Sequence, residues 1–136
     1  MMNRIVTLDG LTLTSRDVYD VAFGLASVEI AQQSMMKVQL ARDVVDRIVQ
    51  GNETVYGINT GFGSLVNTKV SQDDVEQLQI NLIRSHATGL GPNLPTEIVR
   101  AMMCVRLNSL VKGHSGCHPD VVNQLLDFIN NSIPVS

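Results

Sequence analysis

The chain has no tryptophan, and aromatic residues make up 4% of its 136 positions. Its six methionines take over part of the aromatic role of filling irregular core space, a composition that suits helices packed on helices. Lysine and arginine nowhere cluster and the net charge is −3, which argues against nucleic acid or an anionic membrane surface as partner. No apolar run approaches the roughly eighteen residues of a membrane helix. The opening residues Met-Met-Asn-Arg-Ile-Val-Thr-Leu-Asp lack the apolar segment of a secretion signal, so the expected location is the cytoplasm. In that compartment Cys104 and Cys117 are read as free thiols rather than as a disulfide.

What is present is a globular composition, 44% hydrophobic and 17% charged. Nothing repeats and no linker stands out, so residues 1–136 read as one domain, long enough to bury a real core. The predicted class is mainly α, with a short β-hairpin at the start. Ile5 to Leu8 alternates, Asp9-Gly10 signals a turn, and Leu11 and Leu13 alternate with threonines. Thr14-Ser15-Arg16-Asp17 is a capping box, and the helix it opens should end near Gly24.

A second helix is predicted from about Ser27 to Gln50, with Ala31, Met35, Val38, Val45 and Ile48 on one face. A third follows a capping box at Ser71 to Asp74 and places Val75, Leu78, Leu82 and His86 on one stripe, until Gly89, Gly91 and Pro92 break it. A fourth, from about Thr96 to Lys112, is apolar nearly all round and should be buried on nearly every side, with Gly113 as its cap. Pro119 opens the last helix, with Val122, Leu125, Leu126 and Ile129 facing inward.

Between the second and third helices lies Tyr56-Gly57-Ile58-Asn59-Thr60-Gly61-Phe62-Gly63. Its glycines make residues 56–63 a bendable loop. On the residues alone, Tyr56 is either a phenol carried on a mobile active-site loop or a packing residue of a glycine-rich turn. His86, at its helix end, is either a buried histidine satisfied by a backbone carbonyl or a histidine lining a cavity, with a donor and an acceptor for a ligand. His114 and His118 stand four apart, but Gly113, Gly116 and Pro119 break any helix that would align them, so no metal site is assigned. Gly113-His114-Ser115-Gly116 falls short of a nucleophile elbow because Cys117 stands where glycine is required. For Arg84, Arg100 and Arg106 the default is surface or interface pairing.

Three segments, in order, carry a resemblance: Tyr56 to Gly63, Leu78 to Gly91 (Leu-Gln-Ile-Asn-Leu-Ile-Arg-Ser-His-Ala-Thr-Gly-Leu-Gly), and Arg106 to Gly116 (Arg-Leu-Asn-Ser-Leu-Val-Lys-Gly-His-Ser-Gly). They resemble the signatures of histidine ammonia-lyase and the related aromatic amino acid lyases and aminomutases. The likeness runs from about Ile5 to the C-terminus. It implies the N-terminal domain of a larger, all-α, homotetrameric lyase, acting on an amino acid that is histidine first. A tyrosine aminomutase or a tyrosine or phenylalanine ammonia-lyase is the alternative, and a non-catalytic helical assembly domain is the second alternative.

It also implies roles. Tyr56 is the acid/base group, Ser85 and His86 face the substrate side chain, and Asn59 and Gly63 line the substrate site. Ser85-His86 resembles the histidine-lyase form, which one tyrosine aminomutase branch shares. The family's methylideneimidazolone is made from an internal Ala-Ser-Gly. These 136 residues contain none, since Ala26-Ser27 is followed by Val28 and Ser115-Gly116 is preceded by His114. The expectation is therefore a chain without cofactor of its own, inactive alone, whose partners are the rest of a lyase chain and sister subunits.

Overall fold

The computed structural model describes residues 4–51, 55, 57–58 and 72–131. In order the elements are β1 (Arg4–Leu8), α1 (Ser15–Ala22), β2 (Ala26–Ile30), α2 (Gln32–Gln50), α3 (Gln72–His86), α4 (Thr96–Leu110) and α5 (Pro119–Asn130). The mainly α class holds. Two compact units are distinguished, residues 1–43 with 93–136 and residues 44–92.

The β structure of the first unit is not a hairpin. β1 pairs in parallel with β2, Val6 opposite Val28 and Leu8 opposite Ile30. Asp9-Gly10 does turn the chain, but it turns it away. The Asp9 carboxylate accepts from the amides of Leu11 (2.7 Å) and Thr12 (2.8 Å), which holds it below the ordinary value. Residues 11–13 then lead into α1 without pairing. Parallel strands need a crossover, and α1 supplies it.

β2 also replaces the first turn of the predicted second helix. Ala26 and Val28 are buried while Glu29 is exposed, a period of two that the helical spacing of Ala31 and Met35 conceals. Only β1, some twenty residues earlier, offers the backbone partners that decide the matter. α2 accordingly starts at Gln32 and buries Ser34 and Val38.

The capping box of α1 forms as expected. The Asp17 amide donates to the Thr14 hydroxyl (3.2 Å), and Asp17 Oδ2 accepts from the Thr14 amide (2.9 Å). The Thr14 hydroxyl, the Thr14 amide and the nearby Arg4 guanidinium all hold the Asp17 carboxyl below its ordinary value. Arg4 also binds Asp20, which is buried.

The core of this unit gathers Val6, Leu8 and Val28 from the sheet, Val21 from α1, Val38 from α2, Met103, Cys104, Leu107 and Leu110 from α4, and Val122 and Ile129 from α5. α5 presents the predicted face, with Val122 and Ile129 at 0% exposure. The Cys104 thiol is pushed up to about 11 by burial. Among the described residues no helix is long and apolar enough to cross a membrane.

α4 corrects a second expectation. It is buried along one face only, and Ile98 (46%), Met102 (58%) and Val105 (52%) form an exposed row on another. Arg100, expected in surface or interface pairing, is buried among the core residues of the same helix. Its Nε and Nη2 donate to the Val21 carbonyl at 3.1 and 2.9 Å, and its Nη1 donates to the Ile129 carbonyl. One guanidinium thus serves carbonyls near the C-terminal ends of both α1 and α5, where the helix dipoles are negative.

Two glycines are required by geometry in different ways. Gly113, just past α4, has φ +75° and lies so close to α2 that an added Cβ would stand 2.5 Å from Lys37 Cβ and 2.8 Å from its carbonyl carbon. Gly24, past α1, has φ +70° with open space around it.

Three outcomes are expected. Arg100→Met strips the charged donors from two carbonyls and should lower unfolding free energy in urea by about 2–4 kcal/mol, whereas exposed Arg106→Met should stay within about 0.5. Equal losses would remove Arg100 from its structural role. Gly24→Ala should cost about 1 kcal/mol for its backbone angle alone, and Gly113→Ala at least about twice that, because α2 must also move. Asp17 has a depressed folded pKa, so its contribution is present above the unfolded value near 3.8 and is lost as pH falls through the folded one. Melting temperature against pH should therefore fall less steeply on acidification in Asp17→Asn than in the parent; parallel curves would contradict this.

Candidate functional site

The second unit contains α3, whose last turn holds the one described part of the predicted site. Tyr56, Asn59 and Gly63 lie outside the described residues, as does Ser71 of the second capping box. Within the glycine loop, Gly57 is described and has φ +79°, the left-handed region that glycine adopts without strain.

α3 ends at His86, where the chain meets Gly89, Gly91 and Pro92 as the residue types predict. The Ala87 amide closes the helix on the Ile83 carbonyl (2.9 Å), and Gly91 takes φ +105°. Ser85 and His86 are both exposed. His86 is therefore not a buried histidine, although it does use a backbone carbonyl: Nδ1 lies 2.9 Å from the Leu82 oxygen. The Ser85 hydroxyl donates to that same oxygen at 2.8 Å, and its Oγ lies 3.0 Å from His86 Nδ1. A serine hydroxyl, an imidazole nitrogen and a helix-end carbonyl thus form one small triangle. Among the described residues nothing bonds Nε2, the nitrogen on the outer edge of the ring. The Leu82 carbonyl carries no signal in the sequence, because it acts through the backbone.

Elsewhere, His118 is committed to structure. It is the N-cap of α5, and its Nδ1 accepts from the Asp120 amide at 3.2 Å. Gly113 and Gly116 both have positive φ, so the chain between His114 and His118 is a turn rather than a helix face. Among the described residues no group of three His, Cys, Asp or Glu side chains is placed to hold a metal ion. Cys104 and Cys117 are free thiols, the first buried.

Comparison with known proteins places these features. The family model described as aromatic amino acid lyase matches residues 13–135. The histidine ammonia-lyase of Streptococcus gordonii is 47% identical over 132 residues, 97% of this chain and 26% of that protein. Among solved structures, tyrosine aminomutase from Streptomyces globisporus superposes with a TM-score of 0.87 at 37% identity, covering 94% of this chain and 24% of that one. Histidine ammonia-lyase from Trypanosoma cruzi superposes with a TM-score of 0.83 at 40% identity, covering 93% and 25%. The chain spans about a quarter of the length of the curated relatives it matches. A family model that matches residues 13–135, and relatives that align along nearly the whole chain, establish that it belongs to the aromatic amino acid lyase family.

Proposed function

We propose that this chain is the N-terminal portion of an ammonia-lyase that converts L-histidine to urocanate and ammonia. The observation that carries the reading is Ser85-His86 at the end of α3, with both side chains exposed and no hydrogen bond to the imidazole Nε2 among the described residues. Identity to histidine ammonia-lyases over 97% of the chain supports it. The likeness to a tyrosine aminomutase keeps a tyrosine-directed activity as the second reading.

Elimination breaks the bond from Cα to nitrogen and removes a proton from Cβ, so one group must take that proton. Tyr56 is assigned this role, and its phenol, with an ordinary pKa of about 10, needs neighbouring positive charge or dipoles to act as a base at neutral pH. His86 is assigned to the far end of the substrate ring. Asn59 and Gly63 are assigned to the same pocket, the first as a hydrogen-bonding group and the second as a point of close backbone approach.

The family's methylideneimidazolone supplies the electrophile that makes the amine a leaving group. The residues present do not fit it. Ala26 and Ser27 are paired strand residues followed by Val28, and Ser115-Gly116 follows His114. The Ala-Ser-Gly is assigned to a part of the polypeptide outside these residues, and no step is derived through it. The exposed row Ile98, Met102 and Val105 on α4 supports the same view, since apolar surface of that kind is covered when more protein packs on it. The rest of a lyase chain and sister subunits are the proposed cover.

The test follows urocanate absorbance with histidine, beside tyrosine and phenylalanine as competitors, for the full-length polypeptide and for the 136-residue chain. Only the former should turn over; activity of the short chain would overturn the assignment of the electrophile. Tyr56→Phe should lower kcat by roughly two to four orders of magnitude with little change in KM. His86→Leu should lower kcat/KM for histidine and raise the relative value for phenylalanine. An unchanged ratio would make His86 a packing residue.

A further inference from the structure

Asp9 is the one aspartate in the chain followed directly by glycine, and no asparagine is. That pairing has a chemistry of its own. Glycine has no side chain to hinder its nitrogen, so the Gly10 nitrogen reaches the Asp9 side-chain carbon more readily than a bulkier residue would. A bond forms from this nitrogen to Cγ, the carboxyl hydroxyl leaves as water with the amide proton, and a succinimide ring results. Water then opens the ring. Attack at the Cγ carbonyl restores aspartate. Attack at the Asp9 main-chain carbonyl breaks the original peptide bond and leaves Gly10 joined through Cγ, which is isoaspartate. Water is the only co-reactant, and nothing is oxidised or reduced.

In the folded chain both reacting groups are held. The Gly10 amide donates to Asn108 Oδ1 at 3.0 Å, which fixes the peptide plane with its hydrogen aimed at α4. A carboxamide oxygen is too weak a base to take that hydrogen, so the bond restrains the nitrogen without activating it. The carboxylate is engaged separately. Oδ1 accepts from the Leu11 and Thr12 amides at 2.7 and 2.8 Å, and Oδ2 accepts from the Thr12 hydroxyl at 2.9 Å. These donors, the Leu11 amide foremost, stabilise the anion and hold its pKa low. Ring closure needs the neutral acid, because hydroxide is expelled more readily than oxide. The turn also has no slack: Gly10 has φ +83°, and a Cβ built on it would stand 2.6 Å from Lys112 Cγ.

The bonds to Leu11 and Thr12 are local to the turn. The bond from Asn108 is not, since 98 positions separate it from Gly10, and it exists only while α4 is docked. We infer that Asp9-Gly10 is a site of spontaneous isoaspartate formation, latched shut in the native fold by Asn108 of α4. Local opening of the turn sets the rate of conversion. The change outlasts the opening. Isoaspartate adds a methylene to the main chain, and Gly10 has no room against Lys112 to take up the extra length. A polypeptide that has opened here therefore carries a lasting mark at the exit of β1.

Conversion is read after trypsin digestion of the full-length polypeptide. Cleavage after Arg4 and Arg16 isolates the peptide Ile5–Arg16, in which Asp9 is the one aspartate. Its aspartyl and isoaspartyl forms have the same mass, separate by chromatography and differ in electron-transfer fragment ions. Parent, Asn108→Ala, Asn108→Leu and Gly24→Ala proteins are incubated for weeks at neutral pH beside the free synthetic peptide Ile5–Arg16.

The free peptide should convert fastest and the parent slowest. Asn108→Ala should convert roughly threefold to tenfold faster than the parent, the worth of one ordinary hydrogen bond in the open population. Asn108→Leu, which keeps the bulk without the acceptor, should behave alike. Gly24→Ala, which lowers stability away from this turn, should stay near the parent. A parent that converts as fast as the free peptide, or Asn108 variants as slow as the parent, would overturn the inference. Gly24→Ala matching the Asn108 variants would do so too, since the mark would then report global unfolding and not the latch.

Discussion

The first unit depends on the Arg100 guanidinium. Burying this cation carries a desolvation cost that polar partners must offset. Here the partners include the Val21 and Ile129 carbonyls, near the ends of two helices that have no basic residue of their own in the last turn. Each helix end has oxygens without intrahelical donors and a partial negative charge, and each receives its cation from α4. Because α4 also contributes Met103, Cys104, Leu107 and Leu110 to the core, the same helix that fills the interior ties down α1 and α5.

A similar division of labour completes the small sheet. Two strands alone are marginal in water. β2 gains a side-chain partner from α5, where Asn130 accepts from the Val28 amide and donates to the Val28 carbonyl, both at 2.8 Å. This carboxamide does for one residue what a third strand would do for several. On α4, Asn108 accepts from the Gly10 amide at 3.0 Å and so anchors the turn that leaves β1. Two asparagines more than ninety residues away thus finish backbone that the local chain leaves open, and the N-terminal β-α-β segment depends on the C-terminal helices.

The second unit shows a more local logic. The Ser85, His86 and Leu82 triangle lies within one helical turn and needs no distant partner. The contacts of a ring nitrogen can therefore be set by sequence neighbours, provided the helix ends where it does. The glycines and proline at 89–92 secure that end, so the residues that stop α3 also fix where this triangle sits.

Much of this was legible in the residues. Helix periodicity, the Thr14–Asp17 capping box, Pro119 at a first turn and the inward face of α5 are short-range patterns, and short-range hydrogen bonding and side-chain direction enforce them. The three signature segments carried the family in the same way, as strings of residues in order. Tertiary structure alone decided the rest. Strand β2 looked helical because its pairing partner stands twenty-two positions earlier, and spacing within a window cannot register a distant backbone. Arg100 looked like a surface charge because its partners are carbonyl oxygens, which every residue has and no residue type advertises. The setting of His86 escaped for the same reason: serine and histidine are visible in the sequence, but the Leu82 oxygen stands beside the imidazole only once the helix has formed.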